Sequence, residues 1–211
     1  MPSSPATGKK GSGSRSDAFL ILRQEYDLAD RTAKKVQKFV RLAGVPAINE
    51  LRYVAHHLVN TIAPTSDDVD GEKELQRAIN HCKRATYEAS EAGILFAFDR
   101  IVEFKEDYRS VIISSVVPDW NQILALCETV TRRIAETREA REDRTPDHKD
   151  FEQLFDRLVA ICNRLDAARD DMNKLVERES QQARRFLLTT VLSVLGIVAG
   201  VLAAMGAAYL Q

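Results

Sequence analysis

Residues 151–210 read FEQLFDRLVAICNRLDAARDDMNKLVERESQQARRFLLTTVLSVLGIVAGVLAAMGAAYL, and two patterns share this stretch. In its first part Phe151, Leu154, Leu158, Ile161, Leu165, Ala168, Met172 and Leu175 recur three and four apart, the coiled-coil-like seam of one helical face. In its second part, Phe186 to Leu210, no residue carries a formal charge. A helix of that length, rising about 1.5 Å per residue, outreaches a hydrocarbon core roughly 30 Å thick. No Pro or Gly falls between Pro146 and Gly196, so the spacing predicts one helix that begins near Asp147 and runs unbroken into a membrane span.

Arg178, Arg184 and Arg185 precede the uncharged run, and the positive-inside tendency assigns that flank to the cytoplasm. At the other end, MPSSPATGKKGSGSRS has no apolar core of the kind a signal peptide needs. The expectation is a single-pass, tail-anchored chain with its N-terminal part in the cytoplasm. The excess of Arg over Lys, 20 to 10, points by association to a bacterial inner membrane.

Carried into the span, the same count lands on Thr189, Ser193, Gly196, Gly200, Ala203 and Ala207, all small or hydroxylated. The opposing row, Leu188, Val191, Leu195, Val198, Leu202, Met205 and Tyr209, is uniformly large. Lipid supplies no hydrophobic drive between helices, so membrane helices associate by close backbone approach, which small residues and a GxxxG step permit. The expectation is a homo-oligomer joined through the small row. Thr189 and Ser193 would bond between helices or, in a ring of spans, line a narrow path for ions.

The remaining sequence predicts an all-α, antiparallel bundle. Residues 1–16 are too poor in apolar side chains to order themselves and read as a disordered tail. Residues 17–185 form the cytoplasmic bundle and 186–210 the span. The first helix, Asp17 to Gly44, shows Phe19, Leu22, Tyr26, Ala29, Ala33, Val36, Val40 and Ala43 on one face. The second starts at Pro46 and ends at Pro64, with the seam Ile48, Leu51, Ala55, Leu58 and Ile62. After a turn-rich loop, Asp70 is placed to cap a long third helix. VIISSVVP is β-branched but has no partner strand, and reads as helix end and loop. A fourth helix follows, with Trp120, Ile123, Cys127, Val130 and Ile134 on its face.

No catalytic, metal or cofactor motif emerges. His56 and His57 are neighbours and point about 100° apart on a helix, so they cannot clamp one metal together; His81 beside Cys82 fails for the same reason. These histidines read as solvated or satisfied by partners. Asp67 and Asp68 sit in a turn, where capping and solvation account for them. Cys82, Cys127 and Cys162 stand singly and read as buried, reduced thiols. With no phosphate loop or nucleophile elbow, a non-enzyme is expected.

The net charge of −1 leaves the partner class open, and no aromatic platform indicates nucleic acid. Lys34, Lys35, Lys38 and Arg41 make a basic end to the first helix, to which antiparallel packing would add Arg52, Lys83 and Arg84. Such a patch suits a phosphorylated ligand; the plainer explanation is cations at a helix C-terminus. A cytoplasmic protein is the other partner expected.

The segments INELRYVAHHLVNTI and ELQRAINHCKRATYEASEAGILF resemble the helical part of small bacterial membrane proteins, including effectors found beside nucleotidyltransferases in antiviral systems. The resemblance covers these two segments and no catalytic motif. It implies an oligomeric membrane effector in which the bundle senses a signal and controls the spans. The alternative is a tethered adaptor or scaffold, in which the span only localises a protein-binding bundle.

Overall fold

The structure, a computed structural model, describes residues 12–64, 69–139 and 148–209, with side chains described between 15 and 200. Asp67, Asp68 and most of the N-terminal segment read as a tail lie outside the described residues, as do the side chains of Ala203 and Ala207. Among the described residues there are five α-helices and no strand: α1 (Ser12–Val40), α2 (Val45–Ile62), α3 (Gly71–Asp107), α4 (Trp120–Glu139) and α5 (His148–Tyr209). VIISSVVP supplies only a single 3-10 turn, Ile113–Ser115, and its neighbouring turns.

Local chemistry sets the helix ends. Pro46 occupies the first turn of α2, where a missing N–H costs nothing. Asp70 caps α3, its carboxylate accepting the Glu72 and Lys73 amides at 3.0 and 3.3 Å. These two bonds hold its pKa below the ordinary carboxylate value, the Lys73 amide contributing most. Arg41, just past α1, adopts φ 62°, the left-handed conformation that stops helices and that a residue with a Cβ seldom takes. At the opposite end α1 begins at Ser12, so Ser12 to Ser16 are helical where the composition predicted a tail. The Arg15 guanidinium donates to the Thr61 carbonyl at 3.3 Å, a partner that composition cannot reveal.

The chain forms two compact units. The first comprises the described parts of Met1–Val102 and Gln122–Asn163. Its core centres on α3, where Leu75, Ile79, Cys82, Tyr87, Ile94 and Ile101 are buried, with Phe151, Phe155 and Leu158 of α5. Phe39 meets Phe96 and Phe155 edge-on at 5.3 and 5.8 Å, and Tyr87 meets Phe151 at 4.6 Å. Gly93 allows this approach: a Cβ there would lie 2.5 Å from the Phe155 ring. Ala85 and Ala89, the small residues two turns and one turn before Gly93, are buried as well.

The second unit comprises the described parts of Glu103–Asn121 and Arg164–Gln211. Phe104 stacks obliquely on Tyr108 at 4.8 Å and on Trp120 at 5.9 Å, and Arg169 lies over the Phe104 ring. Tyr108 donates to Asn173 Oδ1 at 3.0 Å, while Arg164 pairs with Asp119 and Arg169 with Asp107, each at 2.7 Å.

The first two helices correct the predicted faces. On α1 the buried row is Leu22, Glu25, Ala29, Thr32 and Val36, and Phe19 and Tyr26 are exposed. On α2 the buried positions are Ala47, Val54 and Thr61, whereas Ile48, Ala55 and Ile62 face out. The α1 row keeps the three-four spacing and shares Leu22, Ala29 and Val36 with the predicted face; the buried positions of α2 recur every seven residues, about two helical turns, and none belongs to the predicted seam. Glu25 accepts from buried His148 Nε2 at 2.8 Å and has Lys149 at 3.4 Å, which lets a carboxylate occupy a core position. Thr61 is admitted because its hydroxyl donates to the His57 carbonyl at 2.8 Å.

Candidate functional site

α5 is one helix of 62 residues, and it is long and apolar enough to cross a membrane. The described side chains from Phe186 onward are exposed, and a Cβ on Gly196 or Gly200 would meet nothing within 4 Å. The small row is therefore open. Its hydroxyls are not: Thr189 donates to the Arg185 carbonyl at 2.8 Å, and Ser193 to the Thr189 carbonyl at 2.9 Å. Bonding back one turn satisfies each hydroxyl within its own helix.

The seven basic candidates divide by partner. Lys34 pairs with Asp30 one turn back at 2.6 Å. Lys35 crosses to α5, where Asp156 and Glu152 receive it at 2.7 and 3.1 Å; the Asp156 bond in particular raises its pKa. Lys38 is exposed in the last turn of α1, Arg41 is the helix stop, and Lys83 and Arg84 are half-buried on α3. Arg52 lines a cavity of about 310 Å³ together with Asn49, Tyr53 and His56.

That cavity adjoins a polar seam joining α2 to α3. His57 Nδ1 donates to Glu74 Oε2 at 2.7 Å, and His81 Nδ1 to Glu50 Oε2 at 2.7 Å. The two imidazoles stack at 5.0 Å and 18°, Tyr53 stacks on His81 at 5.2 Å, and His56 meets His57 at 5.3 Å. Asn60 donates to Glu74 at 3.2 Å, and Arg77 also pairs with Glu74. Glu74 is buried yet ionised. The His57 bond, foremost, lowers its pKa to about 2.

His57 and His81 each have a carboxylate partner, one of the two states, solvated or partnered, that the sequence left open. What the sequence did not disclose is that His57 and His81, from different helices, lie face to face. Among the described residues no group of three His, Cys, Asp or Glu side chains could hold a metal ion. Cys82 and Cys162 are free and buried, and Cys127 is half-buried. Burial, with a smaller contribution from Glu25, pushes the Cys82 thiol up to about 12, the opposite of nucleophilic activation. No family model, curated protein or solved structure matches the chain.

Proposed function

We propose that the protein is a membrane effector anchored through α5: a cytoplasmic antiparallel bundle receives a signal, and α5 relays the response to an assembly of spans from several copies. The observation that carries this reading is the open small row on an unbroken α5. A helix meant only to anchor has no need of one face that admits close backbone approach. The assembly would either pack tightly or enclose a path for ions, and antiviral defence is the setting that the resemblance of α2 and α3 suggests. Replacing residues 186–210 with an unrelated span tests the reading in cells: an effector loses its effect, and retained function overturns it.

A second reading, a membrane-tethered adaptor, is favoured by one observation. Ile48, Val59 and Ile62 of α2 are exposed large hydrophobics, Ile62 at 75%. Such a row suits a partner protein. In the span swap the adaptor retains its function.

A further inference from the structure

We infer that the cavity beside Asn49, Arg52, Tyr53 and His56 is a binding site for a phosphoryl group. The argument is the direction of its hydrogen bonds. Asn60 has one side-chain nitrogen, which can only donate; it gives one N–H to the Glu74 carboxylate and lies 3.2 Å from His56 Nε2. His56 Nε2 is therefore the acceptor. Its neutral ring then carries the proton on Nδ1, which becomes a donor. Asn49 Oδ1 accepts from the Arg52 guanidinium at 3.4 Å, and the amide's two N–H groups stay available as donors.

Arg52 adds its fork of N–H donors and a permanent positive charge. Among the described residues that charge has no carboxylate partner: Glu50, the acid nearest in sequence, is turned to His81, and Glu74 is held by His57, Asn60 and Arg77. Arginine, amide and imidazole thus each carry a donor, and none of the described lining residues is a carboxylate. A phosphate monoester, with three acceptor oxygens and about two negative charges, matches that set. A volume of about 310 Å³ leaves room for a small organic group beyond the phosphorus. The Tyr53 ring is held in place by its stacking on His81.

The same chemistry is offered by a soluble phosphate ester and by a phospholipid headgroup. The site deepens the proposed function, resting on it only in making this the entry point of the signal. Binding is measured without reference to assembly of the spans, so either idea fails without the other.

The test uses the full chain in phosphatidylcholine nanodiscs, titrated with glycerol 3-phosphate and, separately, prepared with phosphatidic acid, which carries that same group on a lipid. The readout is the His56 ring resonance, identified by its loss in H56A. Saturable displacement by glycerol 3-phosphate identifies a soluble ester site, and displacement only by phosphatidic acid identifies a headgroup site. In either case R52Q should weaken binding at least about tenfold, with helix content unchanged by circular dichroism. K174Q, on an exposed lysine of α5 that pairs with Asp171, should bind as wild type. The absence of saturable displacement by either probe, or equal affinity of R52Q and K174Q, overturns the proposal.

Discussion

Glu74 ties two helices together through a charge held out of water, and this makes stability depend on pH with a definite sign. Its pKa is near 2 in the folded chain, chiefly because of the His57 bond, against an ordinary 4.5. The contribution is complete above the unfolded value and is lost as pH falls from about 4.5 towards 2. The thermal midpoint of the wild type should drop over that interval, and E74Q should flatten the drop while lowering the midpoint at neutral pH. Gly93 gives a second residue-scale outcome. G93A drives a methyl into the Phe155 ring, deep in the core, and should destabilise by roughly 1–3 kcal/mol in a denaturant titration; F155L should relieve part of that loss. The apolar pattern did disclose Leu22, Ala29 and Val36 as core. It could not disclose Glu25, because a carboxylate is read as surface until its partner is known, and that partner, His148, is 123 residues away.

At the scale of elements, the presence, order and type of the helices were legible from periodicity and from Pro and Asp signals, whereas the faces of α1 and α2 were legible only in part. On α1 the apolar row shares Leu22, Ala29 and Val36 with the buried one, and on α2 the exposed Ile48 and Ile62 outrank the buried Ala47 and Thr61 when apolar size alone is counted. Substitutions separate the rows. V54A removes methyl groups from a side chain only 1% exposed and should cost roughly 1–2 kcal/mol, whereas I62A should stay within about 0.5 kcal/mol by thermal denaturation. Comparable losses from both would mean that Ile62 is covered in the assembled protein. The cavity was only partly legible for a related reason. Asn49, Arg52, Tyr53 and His56 fall at i, i+3, i+4 and i+7 of α2, so their shared face was legible; which His56 nitrogen donates was not, because that depends on the Asn60 amide, which Glu74 on α3 holds.

The molecule as a whole is proposed to act through contact between spans, and a pair of substitutions addresses that contact directly. G200L places a large side chain on the open row and should weaken crosslinked oligomers in native membranes at least about tenfold, while V198L on the opposite row should be nearly silent. Equal yields from the two would leave a passive anchor. The back-bonded hydroxyls of Thr189 and Ser193 carry a further consequence. A helix whose described hydroxyls are already satisfied leaves no unpaired polar group to force association in lipid, so only the packing of the small row would hold copies together. Self-association then obeys dilution within the plane of the bilayer. Reconstituted at rising lipid-to-protein ratio, the assembly should dissociate along a mass-action curve, and in a cell its output should climb more steeply than the number of copies per membrane area.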